Sequence, residues 1–184
     1  MIKHSTLFAL SWAMFSTVPA LFADLPPQRG PINGGSSGTS FSRSCAPGQV
    51  VTGFRYRTGW WVDAIGLLCR PVKSDGTLGP ETSVGAMAGG GGGTSGNKSC
   101  PAGSVVAWVN LMYGNFVNGV HFHCRIWVSS TKTFGPERVQ LGFGKSISDP
   151  YVQTRCESTK QPVHGIAGRY GWYVDALGIV CDEP

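Results

Sequence analysis

The chain has 184 residues, of which 41% are hydrophobic and only 14% charged, with 27 glycines, 12 prolines and a formal net charge of +5. That balance excludes disorder as the main state, and the glycine and proline content argues for many turns and an all-β domain. The basic residues stand singly, as Arg55, Arg57, Lys98, Arg125, Lys145 and Arg169. No run among them would track a phosphate backbone, so the charge reads as ordinary surface and no nucleic-acid partner is expected.

The first segment, MIKHSTLFALSWAMFSTVPALFA (1–23), has a lone Lys3, an apolar stretch from Leu7 to Phe15, and small residues at Ala20 and Ala23 where a peptidase would cut. This is the pattern of a secretory signal peptide. No later segment approaches the roughly 20 apolar residues of a spanning helix, so the mature chain is expected to be secreted, extracellular or periplasmic, without membrane insertion. The arm DLPPQRGPIN (24–33) follows and is a candidate contact for a homodimer.

From residue 34 the chain repeats itself, with units expected over 34–87, 88–141 and 142–184. Cys45, Cys100 and Cys156 recur in register with Gly59, Gly114 and Gly171 at a period of 55 to 57 residues. Each unit opens on a glycine-rich loop, passes a cysteine, and runs through a strand-like stretch (VVTGFRYR, VVAWVNLM, PVHGIAGR) to a glycine turn. It then closes on a second cysteine, a hairpin pattern. Six cysteines allow 15 pairings, but the repeat suggests Cys45 with Cys69, Cys100 with Cys124, and Cys156 with Cys181. Each bridge of that span restricts the unfolded chain by about 3 kcal/mol in the entropic account. No CxxC occurs, so zinc and redox chemistry are disfavoured and no cofactor is expected.

Strand parity then separates the faces. Ile65, Leu67 and Cys69 share one face of the second strand, as do Val120, Phe122 and Cys124, and Leu177, Ile179 and Cys181, so this face is expected to point inward. Asp63, Asn118 and Asp175 share its parity. A carboxylate cannot lie deep without a partner, so these residues belong at the rim, where the glycine turn enters the strand.

Two readings of Asp63 and Asp175 stand side by side: each caps its own turn, or each accepts hydrogen bonds from a ligand. The accompanying aromatics, Trp60 and Trp61 in one turn and Trp172 and Tyr173 in the other, suit either rim packing or contact with a ligand's apolar face, with one of each pair expected to pack. His121 and His123 alternate along a strand with no third metal ligand evident, so an inter-strand or solvated role is expected. Arg57 and Arg169 read as exposed strand arginines. GGGGG (89–93) is either a linker or a binding loop, and its register with Cys100 favours the loop. No GxSxG, HExxH or paired-carboxylate cleft is evident, so no catalysis is expected.

The loops GGSSGTSF (34–41) and GGGGGTS (89–95), with the turns GWWVD (59–63) and GWYVD (171–175), resemble the three-repeat pattern of jacalin-related lectins. The resemblance implies an all-β, β-prism I fold of three Greek-key four-stranded sheets with pseudo-threefold symmetry. The cysteine pair in every repeat departs from that family and is similar to the vitelline membrane outer layer protein, a relative in fold. In the lectin family, the aspartate accepts sugar hydroxyls while N–H groups of its turn and of a glycine loop from another repeat donate to sugar oxygens.

Carried over, this implies one site of Asp63, Gly59, Trp60 and Trp61 with Gly93, and another of Asp175, Gly171, Trp172 and Tyr173 with Gly38. Adjacent pyranose hydroxyls suit a two-oxygen acceptor, and glycine lets the backbone approach a ligand closely. The third corner has Asn118 in place of aspartate, and the loop GFGKSISDP (142–150), with Asp149 seven residues before Cys156, has lost its glycine run. The expected function is therefore binding of mannose- or glucose-type sugars on glycans or glycoproteins, with two competent sites and one vestigial. The competing expectation is a non-catalytic structural or interaction protein of an extracellular coat, with no sugar binding.

Overall fold

A computed structural model describes residues 28–145, 151–156 and 161–181. The leader expected over 1–23, residues 24–27 of the arm, and Asp149 lie outside the described residues. Among the described residues, no helix is long and apolar enough to cross a membrane.

Thirteen strands are found there: β1 (Gln28–Arg29), β2 (Asn33–Gly34), β3 (Thr39–Ser44), β4 (Gln49–Thr58), β5 (Val62–Pro71), β6 (Thr82–Gly89), β7 (Thr94–Ser99), β8 (Ser104–Tyr113), β9 (Val117–Val128), β10 (Thr133–Gly144), β11 (Val152–Arg155), β12 (Val163–Tyr170) and β13 (Val174–Cys181). They form three antiparallel sheets, ordered β6-β5-β4-β7, β10-β9-β8-β11 and β1-β13-β12-β3, with β2 also on β13. Each centres on one hairpin of the repeat, and the three hairpins superimpose in register: Phe54 pairs with Leu67, Val109 with Phe122, and Ile166 with Ile179. A register shift just before the turn recurs in all three, at Arg57/Thr58, Met112/Tyr113 and Arg169/Tyr170. This is the all-β, three-sheet prism expected.

The sheets do not follow the sequence repeats. Taken cyclically, the strand before each first cysteine joins the hairpin of the preceding repeat: β7 pairs with β4, β11 with β8, and β3 with β12 of the last repeat. Each bridge within a repeat therefore staples one sheet to the next. The three disulfides are Cys45–Cys69, Cys100–Cys124 and Cys156–Cys181, as the repeat suggested. The arm is likewise absorbed from Gln28 onward: β1 and β2 supply the outer edge of the β13-β12-β3 sheet, where β6 and β10 stand in the others.

The inward face is the one that parity indicated. Ile65, Leu67, Val120, Phe122, Leu177 and Ile179 share one core with all six cysteines, and Phe54 meets Phe122 edge-on at 5.1 Å. On the outer face, glycines make room for long neighbours: Arg55 and Met87 lie over Gly66, and the His121 ring lies over Gly142. The histidines serve between strands. His121 Nε2 meets Lys145 O at 2.8 Å, and His123 stacks on Trp108 while bonding Glu137 through Nδ1 (2.6 Å) and Asn110 through Nε2 (3.0 Å).

Candidate functional site

At one end of the prism the three hairpin turns converge. Each is closed by the same backbone bond, from Gly59 N to Trp61 O (3.0 Å), Gly114 N to Phe116 O (2.9 Å), and Gly171 N to Tyr173 O (2.9 Å). Backbone therefore holds the turns, and a side-chain cap is not needed to do it. The third residue of each points at the axis: Trp61, Phe116 and Tyr173 form a triangle of rings with centroids 4.9 to 5.4 Å apart. The fourth residues, Val62, Val117 and Val174, are buried beneath. The second residues face outward, and Trp60 and Trp172 are 83% and 85% exposed. Of each aromatic pair, Trp61 and Tyr173 pack and the tryptophans at 60 and 172 stand in solvent.

Between the turns lie the glycine loops. Gly90 N donates to Asp63 O (2.8 Å), Gly35 N to Asp175 O (2.9 Å), and Lys145 N to Asn118 O (2.9 Å), so each loop docks on a turn from another repeat. GGGGG is thus a folded loop. The structure brings Asp63 to Gly93 and Asp175 to Gly38: a Cβ at either glycine would fall well inside 3.0 Å of the facing carboxylate Oδ2. Both glycines have positive φ, +61° and +80°, which other residues adopt at a cost. Gly59 and Gly171 lie beside the same oxygens, with Cβ positions 3.6 and 3.7 Å away.

Both carboxylates are largely covered, Asp63 to 5% and Asp175 to 3% exposure, and in each the Oδ2 atom has no hydrogen-bond partner. A buried polar atom without a partner costs about 1–3 kcal/mol, more for a charge. Burial pushes the Asp175 carboxyl above its ordinary range, and the Arg169 guanidinium opposes that shift.

Arg57 and Arg169 are not idle strand residues. Arg57 donates from Nε to Gly92 O (2.6 Å) and from Nη2 to Gly93 O (2.9 Å). Arg169 donates from Nε to Ser37 O (2.8 Å), from Nη2 to Gly38 O (2.7 Å) and from Nη1 to Ser40 Oγ (3.2 Å). Each clamps the loop facing its own hairpin's aspartate. The corresponding residue of the middle hairpin is Met112, which is buried. The signal was present in the sequence: the residue two before the turn glycine reads Arg, Met, Arg as the acidic position reads Asp, Asn, Asp.

No family model matches this chain, and no curated protein matches it in sequence. Solved structures do. The Malaysian banana lectin is similar over 86% of this chain and 99% of its own, with TM-score 0.57 and 16% identity. A mannose-binding jacalin-related lectin from Ananas comosus is 22% identical over the same shares, with TM-score 0.57. Frutapin, a lectin from Artocarpus incisa, is 14% identical over 84% of this chain and 96% of its own, with TM-score 0.59. With three sheets about an axis and loops docked on neighbouring turns, the chain has the β-prism fold of the jacalin-related lectins.

Proposed function

We propose that this protein is a secreted, non-catalytic lectin that binds mannose- or glucose-type sugars, without a metal, at the Asp63 and Asp175 corners. The observation that carries the reading is the pair of covered carboxylates, each with an unpartnered Oδ2 facing a loop whose glycines leave no room for a side chain. A sugar presents adjacent hydroxyl donors, and charge-assisted bonds to a carboxylate are of the stronger kind. This reading requires a small outward shift of the loop to admit a hydroxyl at Oδ2, with the loop's N–H groups donating to sugar oxygens. The neighbours support this class of ligand: the Ananas comosus lectin is mannose-binding, and the Calsepa lectin was crystallised with a biantennary N-glycan.

Binding of the mature protein to a glycan array tests the reading, with the Asp63→Ala/Asp175→Ala variant alongside. Binding to mannose- or glucose-type glycans should fall at least about tenfold in the folded variant, as expected for lost charge-assisted hydrogen bonds. Absence of glycan binding by the wild type, or unchanged binding by the variant, returns the protein to the coat-component reading.

A further inference from the structure

The turns and loops alternate around the end of the prism, and their order makes the two aspartate corners unequal. Loop 89–93 docks on the Asp63 turn on one side, and on the other Gly90 abuts the Trp172 backbone, where a Cβ would fall inside 3.0 Å of Trp172 O. Loop 34–38 docks on the Asp175 turn, which is the turn that carries Trp172, and its far side abuts Asn115 through Gly35. The turn of Trp172 is therefore flanked by a glycine loop on each side, and each of those loops faces an aspartate.

We propose that Trp172 is a shared wall between the two sugar sites, and that the Asp63 site, with Trp60 on its own turn and Trp172 across its loop, takes an extended oligosaccharide where the Asp175 site takes a terminal residue. This rests on the reading of Asp63 and Asp175 as sugar acceptors. Both indoles are more than four-fifths exposed. A solvated indole gives up water to the apolar face of a pyranose at little cost, and its edge stays hydrated. Across the loop from the Asp175 turn stands Asn115, which offers an amide and no ring, so contacts beyond the first sugar are fewer at that corner. An oligosaccharide bound at Asp63 gains a second stacking surface one sugar further along; at Asp175 it does not.

The test is titration calorimetry with a monosaccharide and with the matching di- and trisaccharide, in two single-site backgrounds, Asp175→Ala (Asp63 site only) and Asp63→Ala (Asp175 site only). Affinity should rise with ligand length at the Asp63 site and stay nearly flat at the Asp175 site. Trp172→Ala should weaken both sites about three- to tenfold, the size of a lost aromatic contact, with Trp172→Phe retaining most of the affinity. Trp60→Ala should weaken the Asp63 site alone. Because both side chains are exposed, unchanged thermal unfolding of the variants is expected and establishes that they fold. Sugar binding at both sites with Trp172→Ala altering only one, or equal length dependence at the two corners, overturns the shared wall and leaves the lectin reading intact. Failure of the wild type to bind any of the three sugars overturns both.

Discussion

The corners at Asp63 and Asp175 and the corner at Asn118 are built on the same backbone and differ in their chemistry. All three have the same turn closure, the same buried valine and the same loop-to-turn hydrogen bond. Only the first two combine a carboxylate, a glycine with positive φ against it and an arginine clamping the loop; the third has Asn118, Met112 and a loop that begins Gly144-Lys145. The shared features are those the fold needs, so the features that differ are the ones a ligand would need. The clearest case is the unpartnered Oδ2, which costs stability and contributes nothing to holding the turn.

The glycines are where the two aspartate corners are most easily disrupted. Gly38→Ala and Gly93→Ala each place a methyl against a carboxylate oxygen and force a positive φ, so each should destabilise the fold by about 1–3 kcal/mol and abolish sugar binding at its own corner only. Chemical denaturation with single-site binding assays would read both effects.

A smaller change converts a clamp to its counterpart in the third corner. Arg169→Met should leave the fold intact, loosen loop 34–38 and reduce affinity at the Asp175 site about three- to tenfold. It also removes the charge that opposes the upward shift of the Asp175 carboxyl. On the proposed reading the Asp175 carboxylate accepts sugar hydroxyls in its ionised form, so binding at that corner is expected to fall as pH drops through the folded-state value. The acid limb of the Asp175 site should therefore move to higher pH in Arg169→Met, which a purely structural role for the arginine would not produce.

The smallest effect concerns stability. A folded carboxyl held above its ordinary range binds its proton more tightly than the unfolded chain does, so its contribution is favourable in acid and declines as pH rises from the ordinary aspartate value through the raised one. The raised value makes ionisation of Asp175 less favourable in the folded than in the unfolded chain at neutral pH. Asp175→Asn, the residue found at the third corner, should raise Tm by about 1–3 °C at neutral pH and leave it nearly unchanged in acid, while removing sugar binding at that corner. A fall in Tm at neutral pH would contradict the assignment of that carboxylate as strained for function.

Much of this was legible because the chain says it three times. Cysteine register gave the pairing, and parity gave the core face at Ile65, Phe122 and Ile179, since a one-residue slip would have exposed every one of them. The meeting of Asp63 with Gly93 followed the family pattern. The clamps were missed because a hydrogen bond from Arg57 to carbonyls 35 and 36 residues away depends on the pairing of β4 with β7, which no local pattern reveals. The exchange of strands between repeats was hidden for a related reason: units drawn from loop to loop cut each sheet at the strand it takes from its neighbour. Which tryptophan packs was set by the turn, whose third residue faces the axis in all three copies.

The proposed function places sugar at two of three equivalent corners. Calorimetric titration of the folded wild-type protein with a mannose- or glucose-type ligand measures it most directly. Two sites per chain are expected in the wild type, one in each of Asp63→Ala and Asp175→Ala, and none in the double variant; a third site surviving in the double variant, or full stoichiometry in either single variant, would contradict the proposed function.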